Sequence, residues 1–167
     1  MTRFDMVLTR TGLRFMGRVY PCVIGRGGVR PDKREGDGAT PTGTHRIVGL
    51  LYRPDRMARP ADWARPIGPR DLWSDDSDHE DYNQMVRAPY PFSHERLRRA
   101  DSMYDLIVVT GWNWPRAERG RGSAIFIHQW RRPGHPTAGC IGLSRADLHA
   151  IAPRIRYHTR LVVPQTL

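Results

Sequence analysis

The chain has 167 residues, of which 39% are hydrophobic and 26% charged, a composition that fits one folded domain and excludes a disordered tail or a fibrous repeat. The formal net charge is +10, and Lys33 is the only lysine, so almost all of the positive charge is carried by arginines that stay charged at physiological pH. The 16 glycines and 14 prolines argue against a helical bundle, and no apolar run is long enough for a transmembrane helix.

The predicted elements are mostly short strands, recognised by runs of β-branched and aromatic residues between turn residues. In chain order, we predict strands at residues 4–9, 19–24, 44–52, 104–110, 124–128 and 160–163. A short helix is predicted at 94–99, with Ser93 as its N-cap, and a clearer one at 145–152, capped by Ser144 and stopped by Pro153. The prediction is therefore a mixed, mostly β domain over residues 1–167, with one or two short helices and long loops.

Three segments between these elements carry distinct compositions. Residues 25–43 are rich in glycine and charge, and residues 53–70 hold four prolines and five arginines, which predicts a long irregular loop. Residues 71–81 contain six acids and form an acidic island in a basic protein. The island lacks the glycine and the terminal glutamate of an EF-hand loop, and its ordinary interpretation is a solvated turn.

The chemistry is concentrated in residues 122–143, GSAIFIHQWRRPGHPTAGCIGL. A buried strand there ends in His128, and a small-residue turn presents Cys140 just before the capped helix. Cysteine is nucleophilic as a thiolate, and a nearby imidazole can take its proton. Gly139 allows a sharp turn and leaves backbone N–H groups for an oxyanion hole.

Other interpretations of these residues stay open at this level. Cys140 could be an inert buried thiol, since free cysteine is among the most buried residue types. A zinc site formed by His128, His135 and Cys140 is a further alternative, although its spacing matches no common pattern. Two cysteines cannot form a disulfide framework, and we expect Cys22 to be a core residue.

Three segments together resemble the YkuD-type L,D-transpeptidases, cysteine enzymes that cross-link peptidoglycan. The first segment consists of the paired sequences GSAIFIH and PTAGCIGLS. The second is the middle segment at 71–113, which is similar to a compact proteobacterial branch of that family. The third is the upstream sequence DKREGDGATPTGTHRI, with matches at Gly36, Asp37, Gly38, Thr40, Pro41 and Gly43. The resemblance implies a YkuD-like β-sandwich or barrel-like catalytic domain.

The resemblance also implies roles for individual residues. Cys140 would be the acylated nucleophile, His128 its general base, and the backbone at Gly139 and Cys140 the oxyanion hole, with Thr137 and Ser123 shaping the site. No metal or cofactor is implied. The substrates would be two peptidoglycan stem peptides, a donor and a meso-diaminopimelate acceptor, and transfer to water would give carboxypeptidase or endopeptidase activity.

The sequence departs from the commonest family pattern, Ser-His-Gly-Cys followed by an apolar residue and an arginine. Ala138 replaces the histidine, and Gly142 stands where the arginine would grip a donor carboxylate. The compact branch is associated with cleavage after L-Ala at stem position 1, so we expect 1–3 rather than 3–3 cross-links.

Residues around the motif are candidate substrate contacts. Arg131 fits the carboxylates of stem peptides, and Trp130 and Asn113 lie in loops that follow strand ends and could line a cleft. Asp75 and Asp76 are candidates to steer the acceptor ammonium. For each of these residues, ordinary surface or packing roles are the competing interpretation.

Two other functions compete with the transpeptidase. A nucleic-acid-binding module would use the +10 charge and the five tryptophans, but no helix-turn-helix, zinc-finger or RRM pattern is present, and no nucleic acid is expected as partner. A catalytically inactive peptidoglycan-binding relative is the third. The implied substrate places the protein in the periplasm or cell envelope, whereas no signal-peptide pattern is visible in the sequence.

Overall fold

The computed structural model describes residues 2–167 and consists mainly of short strands. The elements, numbered in chain order, are β1 Met6–Thr9, β2 Gly12–Phe15, β3 Arg18–Tyr20, β4 Cys22–Val23, β5 Val29–Arg30, β6 Thr40–Pro41, β7 Gly43–Tyr52, β8 Arg65–Pro66, β9 Asp71–Ser74, β10 Met85–Arg87, β11 His94–Arg96, β12 Leu106–Thr110, β13 Phe126–Gln129, β14 Ile141–Leu143, α1 Arg145–Ile151, a 3₁₀ turn at Ala152–Arg154, and β15 Arg160–Val163. This confirms the prediction of a mostly β fold.

Ten strands form one sheet that curls into a nearly closed barrel. Its order is β3-β2-β1-β15-β7-β12-β13-β14-β4, and β8 pairs with β7 beside this path. The first and last strands of the order, β3 and β4, are consecutive in the chain and separated only by Pro21. Proline has no N–H to donate to a ladder, so the predicted strand 19–24 is broken there, and its two halves pair at opposite ends of the sheet.

The central strand β12 is buried along its whole length because both of its faces are covered. Leu106 and Val108 point into the barrel core, while Ile107 and Val109 belong to a second cluster on the other face. Alternation of side chains between the two faces of a strand produces this division. The second cluster also contains Cys140, so the predicted site lies on the outer face of the barrel.

The second cluster is covered by a smaller sheet of three strands in the order β10-β9-β11. Its central strand β9 is the start of the predicted acidic island, and all four of its residues are buried. The ring of Trp73 on β9 packs edge-on against Phe126 on β13, with ring centroids 5.0 Å apart. The small sheet is therefore anchored next to the strand that carries His128.

The helix predicted at 94–99 is wrong, because residues His94–Arg96 form strand β11. Glu95 pairs with Trp73 of β9, and such long-range pairing overrides a weak local helix preference. The Ser93 hydroxyl, expected to cap the helix, donates instead to Asp75 at 2.6 Å.

The second helix and the last strand agree with the prediction. Helix α1 begins after Ser144, whose hydroxyl accepts a hydrogen bond from the Asp147 amide at 3.0 Å, and β15 spans the predicted residues 160–163. Within residues 2–167, no helix is long and apolar enough to cross a membrane.

Candidate active site

Strands β13 and β14 bring His128 and Cys140 to the same face of the sheet. The strands are parallel, with Ile127 opposite Ile141 and His128 opposite Gly142, so Cys140 lies at the level of Phe126, two residues before His128. Since side chains on one face recur every second residue, Cys140 and His128 project in the same direction. The Phe126 amide donates to the sulfur at 3.4 Å, which holds the thiol at this level of the sheet.

The thiol of Cys140 is buried and neutral at physiological pH. Its residue is 8% exposed, and the S–H group donates to the carbonyl of Ala124 at 3.1 Å. Burial raises the pKa of the Cys140 thiol to about 12, and the charge of Glu95 contributes in the same direction. For Cys140 to act as a nucleophile, this thiol must therefore lose its proton.

His128 is also neutral, and its orientation is set by the backbone. It is 3% exposed, and burial lowers its pKa to about 4. Nδ1 lies 2.8 Å from the carbonyl oxygen of Gln129. Because a carbonyl can only accept, Nδ1 carries the proton, and Nε2 keeps a lone pair that can accept one. The ring edge of Tyr104 packs against the imidazole, with centroids 5.2 Å apart.

Ala124, the acceptor of the thiol proton, has an unusual backbone conformation with φ of 50°. Non-glycine residues adopt this region rarely and only where their surroundings enforce it. Here Asn83 Oδ1 accepts the Ala124 amide at 3.0 Å and also the indole N–H of Trp73 at 3.0 Å. Asn83 was not predicted as a site residue, because nothing in its local sequence indicates a contact across 41 positions.

The turn before Cys140 is held by two threonine hydroxyls. Gly139 has φ of 141°, and a Cβ added there would lie 2.9 Å from the carbonyl oxygen of Ala39, so only glycine fits. Thr40 donates to the Gly139 carbonyl at 2.8 Å. The Thr137 hydroxyl donates to the Cys140 carbonyl at 2.6 Å and accepts the Gly139 amide at 3.1 Å. The Gly139 amide, expected to be free for an oxyanion hole, is thus already hydrogen-bonded.

The upstream segment at 32–43 lies beside this turn. Thr40 accepts the Gly25 amide at 3.0 Å, in addition to its bond to Gly139. Lys33 is buried and pairs with Asp37 at 2.6 Å, and the same carboxylate accepts the Ala39 amide at 2.8 Å. The two motifs, distant in sequence, therefore form one structural unit.

Six of the predicted site residues line one cleft of about 320 Å³. They are Cys140, His128, Thr137, Ser123, Arg131 and Asp75. The cleft also contains residues that the sequence analysis did not single out as site residues, among them Lys33, Glu35, Glu95 and Tyr104. Ser123 donates to Glu35 at 2.7 Å, so its hydroxyl is bound to the wall of the cleft.

The other four predicted residues do not line the cleft. Gly139 lies within the turn, where its amide and carbonyl are bound by the hydroxyls of Thr137 and Thr40. The Asn113 side chain donates to the carbonyls of Glu118 and Gly122, each at 3.0 Å, and stabilises its own loop. One oxygen of Asp76 accepts the Asp78 amide at 3.1 Å.

Trp130 packs on the backbone of Gly142. A Cβ added at Gly142 would lie 2.8 Å from Cγ2 of Val23 and 3.1 Å from Cβ of Trp130. Any side chain at position 142 would displace these neighbours. The packing at this position therefore leaves no room for the arginine of the commoner pattern.

Cys22 is half-buried rather than fully buried, packs against the barrel core and has a thiol pKa raised to about 11 by burial.

Among residues 2–167, no three His, Cys, Asp or Glu side chains are placed to hold a metal ion. The zinc arrangement of His128, His135 and Cys140 is therefore not formed.

Comparisons with known proteins agree with the resemblance seen in the motifs. The sequence matches the YkuD family, described as an L,D-transpeptidase catalytic domain, over residues 6–163. No curated protein matches the chain. Among solved structures, the helical cell shape determining protein Pgp2 (K307A mutant) from Campylobacter jejuni is similar, with 15% identity and a TM-score of 0.43. That match covers 98% of this chain and 47% of the Pgp2 chain, so this chain spans about half the length of that protein. With a family match over nearly its whole length, the chain belongs to the YkuD family of L,D-transpeptidase catalytic domains.

Proposed function

We propose that this protein is a peptidoglycan L,D-transpeptidase that works through an acyl-enzyme on Cys140. The observation that carries the proposal is the pairing of β13 and β14, which brings the buried Cys140 and His128 to one face of the sheet, where both line one cleft of a YkuD-family chain. A thiol beside an oriented imidazole is the arrangement that nucleophilic acyl transfer requires.

In the first half-reaction, His128 Nε2 takes the proton of Cys140 as the sulfur attacks the carbonyl of an L-residue in the donor stem peptide. A C–S bond forms, the peptide bond to the following D-residue breaks, and the imidazolium gives its proton to the departing amine. The Gln129 carbonyl stabilises the imidazolium, since it accepts a hydrogen bond from the Nδ1–H group throughout the reaction.

In the second half-reaction, the side-chain amine on the D-centre of meso-diaminopimelate in a second stem attacks the thioester. The new amide forms as the C–S bond breaks, and the sulfur recovers a proton. Attack by water in place of the amine gives carboxypeptidase or endopeptidase products. The protein would carry out this reaction in the periplasm or cell envelope, where stem peptides are cross-linked.

The cleft also suggests how the substrates are held. Arg131 supplies positive charge for stem-peptide carboxylates, and Asp75 supplies negative charge for an ammonium. Thr137 and Ser123 shape the wall, and we assign the oxyanion hole to backbone amides around Cys140. Trp130, Asn113 and Asp76 support the neighbouring loops, so we expect their effect on substrate binding to be indirect.

The tight packing around Gly142 supports a donor other than the usual tetrapeptide. Trp130 and Val23 leave no room for an arginine that would grip the carboxylate of such a donor. We therefore propose transfer from L-Ala at stem position 1, which would produce 1–3 cross-links.

The test is incubation of purified muropeptides with the wild-type protein and with Cys140→Ala, followed by mass spectrometry with fragmentation. We expect a cross-linked dimer from the wild type alone, with fragments that place the acyl group at position 1. Dimers joined only through position 3 would contradict the 1–3 assignment. Muropeptide binding without a dimer or an acylated cysteine would identify an inactive relative.

A further inference from the structure

Glu95 borders the catalytic cleft together with Cys140 and His128. It reaches this place because β11 pairs with β9, with Glu95 opposite Trp73. The Trp73 ring in turn packs on Phe126, whose amide donates to the sulfur of Cys140. The three-stranded sheet thus carries a carboxylate to the rim of the site built by the barrel.

Tyr104 holds this carboxylate in a fixed relation to the imidazole. Its hydroxyl donates to Oε2 of Glu95 at 2.6 Å, and its ring edge packs against His128. The other oxygen, Oε1, accepts no hydrogen bond from residues 2–167, and it is not among their fully buried, unpaired polar atoms. The oxygen Oε2 is therefore positioned by the protein, and Oε1 is available to a ligand in the cleft.

The charges around Glu95 favour a cationic or proton-donating ligand. Burial is the main cause that raises the pKa of Glu95 above its ordinary value, and the charges of Asp75 and Glu35 act in the same direction. The hydrogen bond from Tyr104 and the charge of Arg99 oppose them. A carboxylate with this balance takes up a proton more readily than an exposed one.

Glu35, the other glutamate of the cleft, is occupied by the protein itself. Its Oε2 accepts hydrogen bonds from the hydroxyls of Tyr82 and Ser123, and its Oε1 accepts the Gly36 amide at 3.3 Å. Glu35 therefore has a structural role in the wall, while Glu95 keeps an oxygen for a substrate.

We propose that Glu95 binds the ammonium of the acceptor and takes its proton, so that the amine can attack the acyl-enzyme. This inference rests on the proposed transpeptidase function and assigns its second half-reaction. An alkylammonium is almost fully protonated near pH 7, and only its neutral form has the lone pair that attacks the thioester.

The carboxylate of Glu95 takes one proton from the ammonium, and the free amine forms a C–N bond with the thioester carbonyl. His128 takes the second proton from the attacking nitrogen, the C–S bond breaks, and the imidazolium returns that proton to the sulfur of Cys140. Glu95 then releases its proton to water, and the site is ready for another donor.

The test compares Glu95→Gln with the wild type on a donor muropeptide with an excess of acceptor. Intact-protein mass spectrometry measures the acylation rate, and the ratio of dimer to hydrolysed product measures partition of the acyl-enzyme. Glu80→Gln is the matched control, because Glu80 is exposed and does not line the cleft. Tyr104→Phe keeps the ring on His128 and removes only the hydroxyl that holds Oε2.

At pH 7 we expect Glu95→Gln to lower the dimer ratio by about 100-fold, at the lower end of general acid–base effects, while the acylation rate does not fall, because loss of the Glu95 charge lowers the pKa of Cys140. Between pH 7 and 9, the dimer ratio of this variant should rise about tenfold per unit as free amine accumulates, while that of wild type changes little. Tyr104→Phe should shift the ratio in the same direction by less, and Glu80→Gln should behave as wild type.

An unchanged dimer ratio in Glu95→Gln would overturn the inference, because Glu95 would then have no effect on attack by the acceptor amine. A parallel loss of acylation and dimer would also overturn it, because the substitution would then act on the donor half-reaction. Failure of the wild type itself to form an acyl-enzyme would contradict the proposed function first, and this inference with it.

Discussion

At the scale of residues, the site is a neutral thiol and a neutral imidazole that lie on one face of the sheet and line the same cleft. Burial explains both protonation states, because it disfavours the charged form of Cys140 and of His128 alike. The two residues are 8% and 3% exposed. Under the proposed mechanism, the proton of Cys140 therefore leaves after the donor has entered the cleft.

This state predicts slow alkylation of Cys140 with a steep pH dependence. With its pKa near 12, the thiol is ionised in only a small fraction at pH 7, and that fraction grows about tenfold per pH unit below the pKa. In a Cys22→Ala background, the rate of iodoacetamide labelling should rise about tenfold per unit from pH 7 to 10. A plateau that begins below pH 8 would indicate a stable ion pair and contradict the neutral resting state.

Predictability from sequence also differs residue by residue. His128 and Cys140 stood out because polar or reactive side chains ended an apolar strand and a small-residue turn. The Gln129 carbonyl, the Thr40 hydroxyl and Asn83 could not be found this way, because their contacts use backbone atoms or span 41 to 99 positions. Glu95 was assigned to a helix, which concealed its place at the cleft.

At the scale of elements, the site depends on the strand that carries each motif and on the contacts between them. Long apolar runs predicted β7, β12 and β13 with small errors at their ends, since such runs are buried in any sheet arrangement. The strand β11 and the break at Pro21 were missed, because pairing partners distant in sequence decide them. The hydrogen bonds of Thr40 are the element-scale contact most easily tested.

Thr40→Val should weaken both stability and activity. The substitution keeps the shape of the side chain but removes the bonds from the Gly25 amide and to the Gly139 carbonyl, and Thr40 is 1% exposed. Leaving such groups unpaired costs roughly 1–3 kcal/mol each, so denaturant unfolding should show a loss of about 2 kcal/mol or more. Thr40→Ser retains the hydroxyl and serves as control. Equal stability of the valine and serine variants would contradict the assigned role.

Gly142→Ala should destabilise the pair β14 and β4 by about 1–3 kcal/mol, the usual cost of overpacking. Its Cβ would approach Val23 and Trp130 to 2.8 and 3.1 Å. The closer obstacle is Cγ2 of Val23, and Trp130 meets the added group with its own Cβ and Cα, so a double-mutant cycle with Val23→Ala should recover part of the loss. Strictly additive effects in urea unfolding would show that Val23 does not determine the glycine.

At the scale of the whole molecule, a curled sheet carries the thiol and a small added sheet carries the acidic rim of the cleft. The net charge of +10 surrounds this arrangement with a positive field that attracts anionic substrates. The mostly β class was predictable from composition and strand patterns. The placement of the small sheet over the strand that carries His128 was not predictable, because it arises from packing of Trp73 on Phe126.

The field predicts a salt-dependent substrate capture. Raising the ionic strength from about 20 to 200 mM shortens the Debye length from roughly 20 Å to below 10 Å, so kcat/KM for stem peptides with several carboxylates should fall several-fold while kcat stays nearly constant. A donor whose carboxylates are amidated provides the control. An equal salt effect on both donors would argue against electrostatic capture.

The most direct test of acyl transfer through Cys140 is intact-protein mass spectrometry within seconds of mixing the protein with a donor muropeptide, followed by peptide mapping. We expect an added mass equal to the donor acyl group, located on Cys140, absent from Cys140→Ala and formed far more slowly by His128→Ala. Transpeptidation products without this adduct, or an adduct on another residue, would contradict it.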